Sequence, residues 1–235
     1  MYALKNMQVC RLGLIEFTEA LKLQERLVSA RRRSLIPDTL LLLQHPNVIS
    51  LGRPESSRFL LKTQEELKNL GYPVVQAGRG GEVTFHGPGQ LIAYPIINLS
   101  ESHRDLHFYL RQLEEVGIRI CEDLLLPATR VEGRTGVWVH GRKVAAIGIR
   151  ARAWVTFHGM AINRDHTLQG FEHIVPCGLS NAEVTSLQGL TGLELKHPDL
   201  EKRFCQKFAE VFQRTLTPVD LSTLEQDMEQ SIEHE

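Results

Sequence analysis

The segments EVTFHGPGQL, residues 82–91, and WVTFHGMAIN, residues 154–163, both contain the pentapeptide VTFHG. In a chain of this size an identical pentapeptide occurs twice by chance on the order of 1% of the time, so the repetition needs a physical explanation. In an extended segment alternate side chains share a face, so threonine and histidine point one way, and valine and phenylalanine the other. The glycine after each histidine lets the chain turn sharply or lets another molecule approach the backbone. We predict two strand ends, each presenting an imidazole beside bare backbone.

The length and the net charge of the chain limit its domain organisation and its possible partners. The 235 residues can form one domain, 1–235, with a full hydrophobic core. Lys and Arg total 27 against 28 Asp and Glu, so the net charge of -1 gives no case for nucleic acid or an anionic membrane as partner. Apolar runs such as LLLL at 40–43 are too short to span a bilayer, and no secretory signal opens the chain. We expect a soluble intracellular protein.

The pattern of apolar residues mixes strands and helices without regular alternation. Two buried strands are predicted at 39–43 and 48–51, because a His-Pro-Asn turn separates these apolar runs. Thr63 and Glu66 form a capping-box pair, and the longest apolar stripe predicts a helix from about 103 to 125. Residues 219–235 are acidic and poorly patterned, which predicts a frayed tail. The fold class expected is α+β, with a mixed sheet.

The densest glycine cluster, GRGGEVTFHGPGQ at 78–90, is one candidate site. A phosphate-binding loop is disfavoured, because neither the GxGxxG spacing nor a following Gly-Lys-Ser or Gly-Lys-Thr is present. A tight hairpin packed on the core is the simpler alternative. Polar groups at Arg79, Thr84, His86 and Gln90, set among bare backbone, favour a binding site.

The four cysteines are scattered, with no CxxC pair, which argues against a zinc site or a disulfide framework. Cys10 falls in a predicted strand, and Cys121 and Cys205 in amphipathic helices, all of which are packing positions. Cys177 stands between a proline and a glycine, in a segment unsuited to regular structure, where a thiol can be exposed on a rigid turn. If one thiol is catalytic, it is Cys177.

A nucleophilic cysteine needs a base or a positive charge beside it, because a thiol with a pKa near 8.5 is only a few per cent thiolate at neutral pH. The candidates are His86, His158, His173 and Lys143. Lys143 opens a strand of small apolar residues, a place where most lysines are simply solvated. Sequence spacing does not choose between lysine and histidine.

Several blocks of the sequence, taken in order, resemble the lipoyl(octanoyl) transferases. They are RGGEVTFHGPGQL with Tyr94-Pro95, TGVWV before GRKVAAIGIR, the second FHGMAIN, FEHIVPCGL, and VTSL at 184–187. The match runs from about residue 9 to about residue 212, and the combination of motifs is highly specific. The resemblance implies the fold of biotin and lipoate protein ligases, a mixed β-sheet flanked by helices, which agrees with the pattern of elements.

The resemblance implies a reaction as well. An octanoyl group would pass from the phosphopantetheine thioester of octanoyl-acyl carrier protein to a lysine of a lipoyl domain, the first step of endogenous protein lipoylation. Acceptors would be the lipoyl domains of 2-oxoacid dehydrogenase complexes and the H protein of glycine cleavage. We expect neither ATP nor a metal as cofactor, and neither nucleic acid nor a membrane as partner. A monomer is expected in the cytoplasm, or in the mitochondrion if the source is eukaryotic.

Carried over residue by residue, the resemblance gives Cys177 the place of the nucleophile and Lys143 that of its acid/base partner. The acyl chain would bind along Arg79, Gly80, Gly81, Glu82, Val83, Thr84, Phe85 and His86, along Ala146, Ile147 and Gly148, and along His158, Gly159, Met160 and Ala161. The two copies of the VTFHG pentapeptide would then line opposite sides of one acyl pocket. Phe157 stands where many members have a small residue, which bears on chain-length preference.

Three other functions compete with this one. An ATP-dependent lipoate or biotin protein ligase would activate a free acid as an adenylate and would need no cysteine. A non-catalytic module would bind the acyl group or its carrier without transfer. A cysteine hydrolase would release free octanoate.

Overall fold

The computed structural model describes residues 4–165, 168–175 and 184–230. Its strands are β1 (Lys5–Leu14), β2 (Thr39–Gln44), β3 (Val48–Leu51), β4 (Val74–Gln76), β5 (Val83–His86), β6 (Gln90–Ile96), β7 (Ala128–Val131), β8 (Arg134–Val139), β9 (Arg142–Arg152), β10 (Val155–Asn163) and β11 (Arg214–Val219). Its α-helices are α1 (Phe17–Arg32), α2 (Gln64–Asn69), α3 (Leu106–Glu122), α4 (Leu187–Thr191), α5 (His197–Phe212) and α6 (Leu221–Gln230). None of the helices within these ranges is long and apolar enough to cross a membrane.

The strands form two sheets. The large sheet has eight strands in the order β11-β1-β2-β6-β10-β9-β8-β7, and the small sheet has three in the order β4-β3-β5. In the large sheet β1 is parallel to both β2 and β11, and the remaining pairs are antiparallel. Helices α3 and α5 contribute to the core on one face, and α1 to the core on the other. The predicted α+β class, with a mixed sheet flanked by helices, is confirmed.

The four leucines at 40–43 lie on β2, and their burial requires helices on both faces of the large sheet. Leu40 and Leu42 belong to the core beneath α3 and α5, whereas Leu41 and Leu43 belong to the core beneath α1. Because side chains alternate along a strand, four consecutive leucines can all be buried only when helices cover both faces. All four are fully buried.

The turn His45-Pro46-Asn47 has a larger role than the sequence indicates. Both strands predicted around it are present, but β2 belongs to the large sheet and β3 to the small one. The turn therefore carries the chain from one sheet to the other. It also places His45 against the rings of Phe17 and His86, at centroid distances of 5.1 and 5.7 Å.

The helix termini have clear causes. Thr63 and Glu66 form the predicted capping box, which opens α2. The carboxylate of Asp105 accepts hydrogen bonds from the amides of His107 and Phe108, so α3 begins three residues later than the apolar stripe predicts.

The end of the chain corrects one expectation. Residues 219–235 are predicted to be a frayed acidic tail, but residues 221–230 form helix α6. Leu224 and Met228 of this helix are buried in the core beside α1, and Gln8 of β1 donates a hydrogen bond to Asp227. Leu221, Leu224 and Met228 have helical spacing, so the apolar stripe is present in the sequence although acidic residues surround it. Residues 231–235 lie outside the described part.

A buried ion-pair network ties the ends of three elements together. Asp38, only 5% exposed, accepts from Arg31 at the end of α1 at 2.8 Å and from Arg214 at the start of β11 at 3.1 Å. It also accepts from the amide of Asn98, after β6, at 3.0 Å. One carboxylate thus joins segments that are far apart in the sequence.

We predict that Asp38→Ala lowers the free energy of unfolding by about 3–5 kcal/mol, because the largely buried Arg214 loses its carboxylate partner and Arg31 keeps only Glu101. Urea unfolding measures the change. Arg26→Ala is the control, since the Arg26–Glu225 pair is exposed on both sides and such pairs contribute about 0–1 kcal/mol. Equal effects of the two substitutions would contradict a role for the network in stability.

Candidate functional site

A cavity of about 210 Å³ has walls from both sheets. Its walls include most of the residues that the sequence analysis assigns to an acyl site: Arg79, Gly81, Glu82, Val83, Thr84, His86, Ala146, Ile147, Gly148, His158, Gly159, Met160 and Ala161. Lys143 is on the same wall. Segments that are remote in the sequence are therefore close together around one mainly apolar space.

The two copies of the VTFHG pentapeptide lie in different sheets. The first forms β5 of the small sheet, and the second begins β10 of the large sheet. His86 and His158 both face the cavity, as does the glycine after His158. The repeated pentapeptide thus supplies one histidine from each sheet.

Two of the predicted residues are not on the wall. Gly80 donates its amide to the carbonyl oxygen of Ile149 at 2.9 Å, so it joins the glycine-rich loop to β9. Phe85 is buried in the core of the small sheet, where its ring contacts the rings of Tyr72 and Phe171. It faces away because alternate residues of β5 point to opposite sides. Gly80 and Phe85 therefore lie behind the cavity wall and support it without lining the cavity.

Other wall residues were not assigned to the acyl site from the sequence: Phe17, Tyr94, Gly133, Arg134, Thr135, Asn163, Phe171 and Val184. Strand alternation from Gly159 and Ala161 could have indicated Asn163, which is two positions beyond Ala161 on β10. Phe17, at the start of α1, gives no such signal. It reaches the site because its ring stacks on His86, with centroids 5.8 Å apart.

Lys143 is the second residue of β9 and is only 5% exposed, so the common expectation of a solvated lysine is wrong here. Its Nζ atom lies 4.9 Å from the ring centroid of Trp138 on the neighbouring strand β8. Its backbone forms a parallel bridge with Val184, and its carbonyl oxygen accepts from the amide of Thr185 at 2.9 Å.

Cys177 lies outside the described residues. The chain before it is anchored on the small-sheet side, where Ile174 bridges Leu60 and the amide of Val175 donates to Phe59 at 2.9 Å. The chain after it resumes at Val184, beside Lys143. The described residues that flank 176–183 are therefore fixed at the small sheet on one side and at Lys143 on the other.

The other three thiols are poor nucleophiles. Burial raises the pKa of Cys10 to about 11 and that of Cys121 to about 12. Burial also raises the pKa of Cys205, which lies on α5 and packs against the core beneath α3 and α5. At neutral pH these residues remain thiols, as their predicted packing positions imply.

A directional chain of hydrogen bonds runs along the cavity wall. Arg79 donates to the hydroxyl of Ser50 at 2.9 Å, and Ser50 and His86 Nε2 are 3.3 Å apart. His86 Nδ1 is 3.3 Å from the amide oxygen of Gln90, which requires Nδ1 to carry the proton. Gln90 donates to Asn163 at 2.9 Å.

Asn163 completes this chain. Its amide donates to the carbonyl oxygen of Thr185 at 2.9 Å, and the amide of Thr185 donates to Lys143. The hydrogen bonds therefore link Arg79 in the glycine-rich loop to the segment that lies beside Lys143. Each link of the chain joins a buried donor to a buried acceptor, which offsets the cost of removing these polar groups from water.

Three buried imidazoles are neutral at pH 7. Burial lowers the pKa of His45 to about 4 and that of His158 to about 3. Burial, with the nearby His45 and Arg79, lowers the pKa of His86 well below its ordinary value. The third histidine candidate, His173, is not among the wall residues, and its ring packs on Tyr72. The histidines on the wall are therefore not the source of positive charge.

His158 has an unusual backbone. Its φ of 56° is in the left-handed region, which few non-glycine residues adopt, and its amide donates to the side chain of Gln24 at 2.7 Å. Its ring stacks on Phe157, with centroids 4.9 Å apart. Neither ring nitrogen has a well-formed hydrogen bond within the described residues, although the carbonyl of Ala77 is close enough to raise its pKa slightly. Phe157 itself does not line the cavity. It contacts the site only through the ring of His158, on which it stacks.

The arrangement suits an apolar ligand with one reactive polar end. Glycine and aliphatic side chains line the floor, and Gly148 and Gly159 are direct cross-strand partners. Within the described ranges, no group of three histidine, cysteine or carboxylate side chains is placed to hold a metal ion.

Comparison with known sequences gives a consistent result. The family model of the lipoyl protein ligase A/B catalytic domain matches residues 16–209. An octanoyltransferase of Caldicellulosiruptor bescii is 45% identical over 210 residues, which cover 88% of this chain and 92% of that protein. An octanoyltransferase of Thermosynechococcus vestitus is 41% identical over 216 residues, which cover 92% and 94%.

Comparison with solved structures supports the fold. The bipartite lipoate protein ligase of Thermoplasma acidophilum superposes with a TM-score of 0.72 at 14% identity, covering 98% of this chain and 91% of that one. The biotin protein ligase of Aquifex aeolicus gives a TM-score of 0.50 at 14% identity, covering 88% and 69%. The expected ligase-like fold is confirmed.

The buried imidazoles predict a pH dependence of stability. The folded-state pKa of His45 is lowered, so between about pH 6.5 and pH 4 the unfolded state binds more protons, and stability is lost as the pH falls through this window. His45→Gln should therefore reduce the loss of unfolding free energy between pH 7 and pH 5 by about 2 kcal/mol. Urea unfolding at both pH values measures it, with the exposed His140→Gln as control. An unchanged pH slope in His45→Gln would contradict the burial of a neutral imidazole.

Proposed function

Because the chain belongs to the lipoyl protein ligase A/B catalytic domain family, we propose that it transfers an octanoyl group from acyl carrier protein to a lysine of a lipoyl domain. The transfer proceeds through a thioester on Cys177. The observation that carries the proposal is a buried lysine, Lys143, on the wall of an apolar cavity, beside the chain that leads out of the Cys177 segment. Octanoyltransferases at 41–48% identity support the reaction class.

In the first half-reaction Lys143 as ammonium stabilises the Cys177 thiolate. The thiolate attacks the carbonyl carbon of the octanoyl thioester, and a new carbon–sulfur bond forms as the bond to the carrier sulfur breaks. The departing carrier thiolate takes a proton from Lys143. The products are octanoyl-Cys177, the carrier thiol and a neutral Lys143.

In the second half-reaction the neutral Lys143 accepts a proton from the acceptor lysine, whose amine must be uncharged to attack. The amine nitrogen bonds to the octanoyl carbon, and the bond to Cys177 breaks. The enzyme returns to thiolate and ammonium. Backbone amides near the glycines or at Gly178 would hold the oxyanion of each tetrahedral intermediate.

The octanoyl chain would run along the floor between β9 and β10. Gly148 and Gly159 leave the floor bare where they pair, and the neutral His158 stands beyond them. The reactive carbonyl therefore lies at the lysine end, and the hydrocarbon tail points towards His158.

The donor thioester is already activated, so the reaction needs neither ATP nor a metal ion. The alternatives differ in what they consume and release. An adenylate-forming ligase requires ATP and no Cys177, a binding module transfers nothing, and a hydrolase releases octanoate without acylating a lipoyl domain.

We predict a thioester-linked octanoyl adduct on Cys177 after incubation with octanoyl carrier protein in the absence of ATP. Cys10 and Cys121 should stay unlabelled, because burial raises the pKa of both thiols. Intact-mass spectrometry followed by peptide mapping detects and locates the adduct. Cys177→Ala should abolish both adduct and transfer, whereas Cys205→Ala should leave both in place.

Each other outcome of this experiment identifies an alternative. A label on another cysteine, or no label, contradicts the acyl-enzyme. Transfer that requires ATP and persists in Cys177→Ala indicates a ligase, and octanoate without an acylated lipoyl domain indicates a hydrolase.

We predict that Gly148→Ala impairs the binding of long acyl chains. A Cβ atom at this position would lie 2.9 Å from both the carbonyl oxygen of Gly80 and Cδ of Arg79, so the loop above the floor must move. The KM for an octanoyl thioester should rise on the order of tenfold, or about 1.4 kcal/mol. A butanoyl thioester, whose shorter tail reaches less far along the floor, is the internal control. Equal changes in KM for the two chain lengths would contradict the proposed path of the chain.

A further inference from the structure

Lys143 lies opposite Trp138 on the β8–β9 hairpin, and its charged end faces the indole. The two residues are cross-strand partners at a point where the register of the hairpin shifts. The 4.9 Å between Nζ and the ring centroid is within the range of about 6 Å for a cation–π interaction. Trp138 is 1% exposed and Lys143 is 5% exposed, so water screens the contact little.

Gly136 provides a second contact for the lysine stem. A Cβ atom at Gly136 would lie 3.2 Å from Cε of Lys143 and 2.6 Å from the carbonyl oxygen of Ala145. The φ of Gly136 is 132°, a conformation that other residues rarely adopt. The methylene groups of Lys143 therefore pass through the space that a side chain at position 136 would fill.

Glu114 fixes Gly136 from the other side. This fully buried carboxylate of α3 accepts from the amide of Gly136 at 3.1 Å and pairs with Arg111 at 2.6 Å and Arg130 at 3.2 Å. The backbone of β8 is thereby attached to α3 where the lysine stem crosses it.

We propose that Gly136 and Trp138 are positioning residues that hold the Lys143 ammonium in place at the cavity wall, with the indole face stabilising the charge. This inference rests on the proposed function, because it explains how the acid/base group is held. A ring face attracts the ammonium and also presents a hydrocarbon surface to the neutral amine. Lys143 can therefore keep one position in both half-reactions.

The test compares Trp138→Phe with Trp138→Met. Both variants fill part of the same space and both lose the hydrogen bond from the indole nitrogen to the Arg134 carbonyl, so the main difference is the aromatic face. The readout is the pH dependence of Cys177 alkylation by iodoacetamide, followed by peptide mass. We expect a midpoint near that of the wild type in Trp138→Phe and about one pH unit higher in Trp138→Met. Acylation at pH 7 should fall about tenfold in Trp138→Met only.

A structural role alone would affect both variants equally, so identical alkylation profiles overturn the inference. Lys143→Met separates this failure from that of the proposed function. If Lys143→Met leaves the alkylation profile unchanged, the cysteine–lysine pair itself is wrong. If Lys143→Met shifts the profile and the two Trp138 variants match, only the positioning role is wrong.

A measurement on the wild-type protein avoids the risk that a Trp138 variant does not fold. Protons on Cε of a lysine above an indole face are shifted upfield by the ring current. We expect one lysine Cε resonance with such a shift, assigned to Lys143 by its absence from Lys143→Met. A Lys143 resonance at the position of an exposed lysine would overturn the inference.

Discussion

The site depends on the close approach of the glycine-rich loop to the large sheet. The amide of Gly80 donates to Ile149 of β9, and a side chain on Gly148 would collide with the Gly80 carbonyl. On its other side the loop lies against Gly52, where an added Cβ would clash with the backbone of Gly81. Gly148 in β9 of the large sheet and Gly52, directly after β3 of the small sheet, therefore set the spacing between the sheets, because only bare backbone allows this contact. The cavity, the hydrogen-bond chain from Arg79 and the position of His86 all follow from that spacing.

Burial then decides which side chains carry charge. Taking an imidazole out of water disfavours its cation, and Arg79 nearby adds to the effect at His86 and His158. Histidines that could serve as bases when judged by sequence are therefore neutral components of the wall. The choice between lysine and histidine, which sequence spacing leaves open, has a physical basis in burial.

Local patterns predict local features, and the limits of the sequence analysis lie in long-range geometry. The capping box at Thr63 and the two strands on either side of His45 follow from short-range rules, and both are present. Periodicity shows which face of a strand is buried but not which sheet the strand joins, so the division into two sheets was not predictable. Phe17 and Tyr94 reach the cavity only through tertiary packing. Helix α6 was missed because acidic composition outweighed a valid apolar stripe.

The fold alone does not determine the chemistry. Solved ligases share this fold at 14% identity, so the reaction must depend on side chains that the shared backbone carries. In the proposed reaction an acyl thioester arrives activated, and the chain has to supply a nucleophile and a group that both gives and receives a proton. A carboxylate partner would bind the ammonium strongly in one half-reaction and oppose its deprotonation, whereas an indole face binds it more weakly and tolerates the neutral amine. The pairing of Trp138 with Lys143 across a hairpin thus suits a site whose lysine must change its charge twice in each cycle.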